Sequence, residues 1–259
     1  MSIEPHCEFC GLVDKYRCQD AEQAEECPHA PAEGKAAVIR SGPLAGLKRR
    51  HYGAIVADPP WSFLTRSDKG KGRSPENHYD CMTLDDIKAM PVSEIAAKDC
   101  VLFLWIIYTH LEMALEVIKA WGFTYKTKGF NWVKTNKNPG AATDPSSFFT
   151  GMGFWTRANP EDCLLATVGQ PKRNEGGRGV RRLIVAERRE HSRKPEEMLA
   201  RVEELVPGPY CELFSRASRP GWDQIGNETG KFDPADLSEP DEIDDLEDYI
   251  FDKEVEDLI

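Results

Sequence analysis

A short apolar run that ends in an acid and two prolines constrains the fold of this chain more than any other feature. The run covers residues 52–56, and Ala57 leads from it into Asp58-Pro59-Pro60-Trp61. A continuous apolar stretch of this length is typical of a strand buried on both faces of a parallel sheet. Because proline fixes φ and lacks a backbone donor, the turn after the strand presents mainly carbonyl acceptors.

The four residues Asp58-Pro59-Pro60-Trp61 form a motif that suits one kind of ligand. Asp58 supplies a carboxylate acceptor, and Trp61 supplies a flat π-face beside the carbonyls of the turn. A heteroaromatic ring with an exocyclic amino group needs two acceptors for its hydrogens and a partner for stacking. Adenine presented for chemistry at N6 fits this description. The alternative is a strand-ending turn in which Trp61 only fills the core.

Apolar runs alternate with amphipathic and polar stretches through the middle of the chain. Strands are predicted over residues 52–56, 100–106, 128–134, 162–168, 183–186 and 210–214, and helices from Thr83 onward and over residues 110–121 and 195–205. This alternation predicts an α/β fold with a doubly wound, mostly parallel sheet, in which ligands bind at the carboxyl ends of the strands. Without a G-x-G-x-x-G motif, a dinucleotide-binding cradle is not supported.

The predicted helices carry local signals at their ends and along one face. Thr83 stands three residues before Asp86, which predicts that its hydroxyl caps the first helix. Ser192 is expected to cap the helix over residues 195–205, where proline occupies an early position. The apolar spacing of the helix over residues 110–121 predicts a buried face formed by Leu111, Ala114, Leu115 and Ile118.

Long polar loops interrupt the alternation, and two of them are basic. Residues 62–78 follow the motif, residues 138–155 are rich in Gly, Pro, Ser and Phe, and residues 169–182 are rich in arginine. We expect the basic loops to contact phosphates, with a solvated exposed loop as the alternative for each. The candidate cations are Arg66, Lys69, Lys71 and Arg73 in the first loop and Lys172, Arg173 and Arg178 in the last.

The net charge of −11 comes from the C-terminal tail. Residues 231–259 hold thirteen acidic residues and two lysines, and the rest of the chain is formally neutral. Since nucleic-acid binding depends on local basic patches, the acidic total does not exclude it. The tail is expected to be disordered; dimerisation, docking on a partner protein, or folding back onto the basic loops are the alternatives.

The N-terminal residues 1–33 hold half of the eight cysteines of the chain. A C-x₂-C pair lets two thiolates from one turn bind one ion, and a segment with so few large apolar residues needs a staple to fold. In a reducing compartment that staple is expected to be structural zinc rather than disulfides, against an alternative of four unremarkable thiols. The predicted ligands are Cys7, Cys10, Cys18 and Cys27, with His29 as an alternative.

The domain organisation follows from these segments. No apolar run approaches the ~20 residues that span a membrane, and the N-terminus lacks the features of a signal peptide, so a cytoplasmic protein without a membrane partner is expected. The predicted divisions are a zinc knuckle over residues 1–33, a linker over 34–50, the main domain over 51–230 and the acidic tail over 231–259.

Nine sequence blocks between Tyr52 and Glu228 resemble, in order, the MT-A70 family of S-adenosylmethionine-dependent adenine-N6 methyltransferases, in its bacterial or phage branch. The blocks are Ala57–Trp61, Tyr79 with Met82-Thr83, Leu102–Trp105, Trp121–Phe123, Trp132–Asn136, Ile184–Glu187, Lys194–Glu196, Glu212–Arg216 and Gly226-Asn227. The resemblance implies a permuted, Rossmann-like methyltransferase sheet in which the catalytic motif precedes the cofactor strand.

The resemblance also implies roles for individual residues. Asp58 and the Pro59 carbonyl, within a catalytic motif that includes Pro60, would accept the hydrogens of the adenine amino group. Trp61 and Tyr79 would line or stack on the flipped base. The implied cofactor contacts are Asp58, Lys194, Arg216, Ser218, Asn227 and Glu228. Two features depart from the family pattern: Ser218 stands where some members have histidine, and a basic segment over residues 48–51 stands where many have an acidic one.

The function expected from the motif and the resemblance is methyl transfer from S-adenosylmethionine to N6 of adenine in DNA. An RNA substrate is one alternative, because nothing in the motif reads the 2′-hydroxyl. A non-catalytic nucleic-acid-binding partner is the other; such a protein would be expected to carry a degraded motif, whereas all four motif residues are present here.

Overall fold

The structure is a computed structural model that describes residues 36–62, 81–137, 140–141, 144–151, 155–189 and 193–233. Its strands are β1 (Tyr52–Ala57), β2 (Ala96–Ile106), β3 (Thr124–Thr135), β4 (Glu161–Val168), β5 (Leu183–Glu187), β6 (Tyr210–Leu213) and β7 (Trp222–Ile225). Its α-helices are α1 (Leu84–Ala89), α2 (Leu111–Ala120) and α3 (Glu197–Leu205). Within these residues the strands form one sheet in the order β5-β3-β4-β2-β1-β6-β7.

The sheet is mostly parallel, and β4 is the exception. It pairs antiparallel with β2 on one side and with β3 on the other, whereas the pairs β1–β2, β1–β6, β3–β5 and β6–β7 are parallel. The carboxyl edge is defined here as the edge of the sheet where the parallel strands end. The amino edge is the opposite edge, where they begin. Because β4 is reversed, it begins at the carboxyl edge, and the segment after it leaves from the amino edge.

Both faces of the sheet are covered, as predicted. Ile55 and Ala57 of β1 belong to one apolar cluster with residues of α1 and α2, while Ala54 and Val56 belong to a second cluster with residues of α3. Successive residues of a strand point to opposite faces, so a run that is apolar throughout is what a covered strand requires. The predicted α/β class is therefore confirmed, and the arrangement is compatible with a Rossmann-like methyltransferase sheet.

The buried face of α2 differs in part from the predicted one. Ala114 and Ile118 are buried as predicted, whereas Leu111 and Leu115 are exposed and Val117 is buried in their place. Trp121, which follows the helix, is fully buried and donates from its indole Nε1 to the Ile87 carbonyl at 2.8 Å. This anchor turns the helix so that the positions three and four residues before Trp121 face the core.

The structure confirms the cap predicted for the first helix and moves the start of the last helix to Glu197. The Thr83 hydroxyl accepts a hydrogen bond from the Asp86 backbone N–H, as expected for an N-cap. The last helix begins at Glu197 with Glu196 at the N-cap and no capping side-chain bond from it, whereas Ser192, the predicted cap, lies outside the described residues. Strand β7 was not predicted, because its four residues lie in a stretch rich in polar residues.

The segment before β1, expected as a linker, packs on the domain. Ile39, Leu44 and Leu47 are buried, and backbone hydrogen bonds join Ile39 N to Leu47 O and Arg49 N to Ala37 O. Within the described part of the chain, no helix combines the length and the apolar character that crossing a membrane requires.

Candidate active site

The carboxyl end of β1 positions the acceptor turn. The Asp58 N–H points to the Leu213 carbonyl of β6 at 3.5 Å. The Pro59 carbonyl accepts from the Trp61 N–H at 2.8 Å, and the Pro60 carbonyl accepts from the Met82 N–H at 3.0 Å. These bonds hold the turn, and each carbonyl keeps a second lone pair that can accept a further hydrogen.

Trp61 forms the floor of this turn. Its side chain is 4% exposed, and its indole Nε1 donates to the Trp105 carbonyl at 3.1 Å. The buried His110 ring lies 5.9 Å from the Trp61 ring, and its Nε2 is 2.8 Å from the Ser62 carbonyl oxygen. Trp61 therefore contributes to the core wall beneath the turn, and its stacking on a base stays a prediction.

One lysine connects two acids at this edge. Lys194 Nζ donates to Asp58 Oδ2 at 2.6 Å and lies 3.4 Å from Glu161 Oε2. Lys134 Nζ contacts Glu161 Oε1 at 2.5 Å. Asp58 follows β1, Glu161 begins the reversed strand β4, and Lys194 lies between β5 and α3, so three separate segments meet at one point. The Lys194 ammonium also lies 5.5 Å from the Trp105 ring centroid.

The two acids have opposite pKa shifts. Burial raises the pKa of Asp58 above its ordinary value, and the charge and hydrogen bond of Lys194 offset only part of that rise. Burial also acts to raise the pKa of Glu161, but Lys194 and Lys134 outweigh it and bring this pKa to about 2. Glu161 is therefore ionised at neutral pH, whereas burial makes Asp58 the easier of the two acids to protonate.

The ends of β6 and β7 complete the edge beside Asp58. Arg216 Nε lies 3.2 Å from Glu228 Oε2. Gly226 lets the end of β7 lie close to the backbone that follows β6, since a Cβ there would lie 2.2 Å from the Ser215 carbonyl oxygen. Glu212 accepts from Ser215 Oγ at 2.9 Å, and burial raises the pKa of its carboxyl.

The remaining residues implied on the cofactor side differ in their surroundings. Asn227 is exposed at the end of β7. Ser218 lies in the turn between β6 and β7, where its backbone N–H donates to Asp233 Oδ1 at 2.6 Å. Asp233 therefore already provides a partner for the Ser218 backbone, and a cofactor contact by this residue stays a prediction.

The predicted substrate residues fall into two groups. The first loop and Tyr79 lie outside the described residues; these are Arg66, Lys69, Lys71, Arg73 and Tyr79. Lys172, Arg173 and Arg178 are described and exposed. Because β4 is reversed, their loop joins β4 to β5 at the amino edge, opposite to Asp58. Their contact with nucleic acid stays a prediction, and it would be made away from Asp58.

The predicted zinc ligands also lie outside the described residues; these are Cys7, Cys10, Cys18, Cys27 and His29. Within the ranges that the structure describes, no group of three or more His, Cys, Asp or Glu side chains could hold a metal ion. The zinc knuckle accordingly stays a prediction.

Glu161 and Lys134 belong to the site but were not predicted from the sequence. Glu161 stands just before the predicted strand over residues 162–168, and Lys134 ends the one over 128–134. A residue at the start of a strand reaches the carboxyl edge only when the strand is antiparallel. Since the direction of β4 is set by its neighbours, the local sequence held no sign of this role.

The sequence of this chain matches a known protein family. A family model described as MT-A70 matches residues 52–228. The chain belongs to the MT-A70 family. Its sequence is also 29% identical over 198 residues to the Type II methyltransferase M.MunI of Mycoplasma sp, which covers 70% of this chain and 79% of that protein.

Eukaryotic proteins also match this MT-A70 member. The N(6)-adenosine-methyltransferase MT-A70-like of Arabidopsis thaliana is 32% identical over 182 residues, which covers 68% of this chain. The N(6)-adenosine-methyltransferase catalytic subunit METTL3 of Homo sapiens is 30% identical over 196 residues, which covers 74% of this chain. The matches span only 24% and 30% of those longer relatives.

Proposed function

We propose that this protein transfers a methyl group from S-adenosylmethionine to the N6 amino group of adenine in DNA. The observation that carries the proposal is that two acceptors, the Asp58 carboxylate and the Pro59 carbonyl, follow each other at the carboxyl end of β1. The chain also belongs to the MT-A70 family. Ligands of doubly wound sheets bind at such ends, next to the strand from which the chain order runs in two directions. Here β1 is that strand, because β2 and β6 lie on either side of it.

The residues at the carboxyl edge fit the chemical groups of S-adenosylmethionine, which supplies a methyl group on a positive sulfur. Lys194 would hold its carboxylate, and Asp58 would lie near its positive charges. The Arg216–Glu228 pair offers both donors and acceptors for ribose hydroxyls. Asn227 would add an amide at the same edge. The charges of these side chains thus complement each polar part of the cofactor except its adenine, for which we assign no residue.

The adenine amino nitrogen is a weak nucleophile because its lone pair is delocalised into the ring. As the nitrogen bonds to the methyl carbon and the carbon–sulfur bond breaks, the nitrogen becomes positive and its hydrogens become acidic. Asp58 and the Pro59 carbonyl then accept stronger hydrogen bonds than they do before the transfer, so they stabilise the transition state more than the ground state. Asp58 must be ionised to do so, and Lys194 favours that form.

DNA is favoured as the substrate because the Type II methyltransferase M.MunI is matched over 79% of its own length, more than any of the eukaryotic relatives described above. RNA is the second candidate, supported by the names of those relatives as N(6)-adenosine-methyltransferases. The intact acceptor motif argues against a non-catalytic partner. A duplex substrate would have to release its adenine from the stack to reach Asp58.

One methyl-transfer assay tests the proposal and separates the candidates. Duplex DNA, single-stranded DNA and RNA of matched sequence are incubated with radiolabelled S-adenosylmethionine, and the methylated position is mapped at single-nucleotide resolution. We expect label at N6 of adenine in DNA, and none with the Asp58→Ala variant. Label only in RNA would replace the first candidate by the second, and no label in any polymer would overturn both.

A further inference from the structure

A row of side chains continues beyond Lys134 along the carboxyl edge. Starting from the acceptor acid, Asp58, Lys194, Glu161 and Lys134 are joined in sequence, and Lys134 Nζ lies 6.0 Å from the Phe149 ring centroid. On this ring lies Arg188, whose guanidinium carbon is 4.4 Å from the centroid. Arg188 and Phe149 therefore form a pair at the end of a row that starts at the acceptor.

The backbone on both sides of this pair is fixed by the end of β3. The Phe149 N–H donates to the Lys134 carbonyl at 3.0 Å, and the Arg188 N–H donates to the Thr135 carbonyl at 3.1 Å. Arg188 is the first residue after β5, which pairs in parallel with β3 up to Thr135 and Glu187. The pair is thus attached to the ends of two adjacent strands.

The arginines near this edge differ in how far their charges are neutralised. Arg189 and Arg193 both donate to Glu196 Oε1, at 3.0 and 2.9 Å. Arg188 is half-buried, and among the described residues no carboxylate lies within ion-pair distance of it. Lys137 and Arg157, in the segment that joins β3 to β4, likewise have no ion pair within that part of the chain. Positive charge therefore remains available at this end of the carboxyl edge.

The donor set of Arg188 decides which ligand it suits. A guanidinium carries its N–H donors in one plane, in the fork geometry that binds a phosphate through two parallel hydrogen bonds, and it can do so while an aromatic ring lies against it. The half-buried stem and the ring limit the rotamers that would be lost on binding. An anion that presents two oxygens side by side, as a phosphate does, suits this donor set better than a neutral ligand does.

We propose that Arg188, held by Phe149, binds a phosphate of the nucleic-acid strand that carries the target adenine, at a nucleotide flanking the target. The inference rests on the proposed function, because it takes the polymer as the substrate and Asp58 as the position of the target base. Arg188 acts here as a substrate-positioning residue: it binds the backbone, carries no sequence information and takes no part in the transfer step.

The test compares three full-length variants on the same duplex DNA. Arg188→Ala is expected to raise KM about tenfold with kcat within about twofold of wild type, as the removal of one charge-assisted hydrogen-bonding group predicts. Phe149→Ala, which leaves the charge but removes its support, should raise KM less. The control is Arg40→Ala, which removes an exposed arginine before β1 and should leave both constants unchanged.

A binding measurement makes the outcomes distinguishable. The logarithm of the DNA affinity decreases linearly with the logarithm of the salt concentration. The steepness of this decrease should be smaller by about one for Arg188→Ala and unchanged for Arg40→Ala. An Arg188→Ala variant with the wild-type slope and KM would overturn the inference while leaving the proposed function intact. Wild-type protein that binds DNA but methylates neither DNA nor RNA would overturn the proposed function, and the slope would still test Arg188.

Discussion

Asp58 and Glu203 lie at opposite edges of the same sheet, and both accept hydrogen bonds from a basic side chain. Glu203, in the last turn of α3, accepts from Arg219 Nε and Nη2, both at 2.9 Å, and from Trp222 Nε1 at 2.6 Å. These bonds, those of Arg219 first, lower the pKa of Glu203. Asp58 accepts from Lys194, which it shares with Glu161, and the charge of Arg216 also acts on it; even so, burial raises its pKa.

This difference is the one expected between an acid with a structural role and an acid with the proposed chemical role. At the amino edge, a bidentate arginine and an indole together donate three hydrogen bonds to Glu203, and these bonds hold β7 and α3 together. At the carboxyl edge, one ammonium is divided between two carboxylates, so Asp58 keeps capacity to accept from a substrate. Perturbed acids of the second kind are the ones that active sites use, although ion-pair networks can perturb a pKa as well.

The largest effects are expected when either acid is replaced by alanine. Asp58→Ala should reduce methyl transfer by at least a factor of about 100, the usual cost of an acceptor or donor that acts in the transition state, with a small change in thermal stability. Glu203→Ala should instead lower the free energy of unfolding by about 2 kcal/mol, because the buried Trp222 N–H loses its partner. Methyl-transfer rates and urea unfolding of both variants measure this; loss of activity in folded Glu203→Ala would contradict the separation.

Trp61 offers a second way to test the carboxyl edge, through stability. Since its side chain is almost fully buried, Trp61→Ala is expected to lower the free energy of unfolding by about 3–5 kcal/mol. Trp61→Phe keeps part of the packing and loses the bond to the Trp105 carbonyl together with some ring volume, so it should cost less than Trp61→Ala but more than the ~1 kcal/mol of the bond by itself. Denaturant unfolding with fluorescence detection gives both values. Equal stability of Trp61→Ala and wild type would mean that the ring serves the ligand alone.

The pH dependence of activity should move in opposite directions in two variants. The pKa of Asp58 is lowered by Lys194 and raised by the charge of Glu161. Under the proposed function Asp58 accepts as the ionised group, so activity should be lost as pH falls through its pKa. Lys194→Met should therefore shift the acid limb of kcat to higher pH, and Glu161→Gln should shift it to lower pH. Rate profiles at saturating substrates measure the shifts, and movement of both variants in one direction would refute the shared-lysine arrangement.

The smallest effect is expected at the amino edge. The Lys172→Ala/Arg173→Ala double variant should raise KM for duplex DNA less than Arg188→Ala does, because its loop lies opposite to Asp58. If the nucleic acid reaches this loop, the effect should appear mainly as a lower salt slope, by about one for each phosphate that the variant no longer neutralises. Steady-state kinetics and binding at several salt concentrations measure it. A rise in KM larger than that of Arg188→Ala would reverse the order of the two edges.

The sequence by itself determined the elements that local patterns control. The apolar runs located β1, β2 and β6 to within a few residues, since strands covered on both faces need side chains that are apolar throughout. Asp58 was placed in a turn at the end of β1 because a strand that runs into two prolines must turn there. Thr83 was identified as a cap because its hydroxyl bonds three residues along the chain. All of these depend on interactions within a few residues.

Only the tertiary structure decided which segments meet. The reversed direction of β4 places Glu161 at the acceptor and the arginine-rich loop at the far edge, and strand direction is set by pairing with β2 and β3 rather than by the strand's own residues. The exposure of Leu111 and Leu115 likewise follows from the burial of Trp121. Apolar spacing defines possible faces of a helix, and the packing of its neighbours selects one of them.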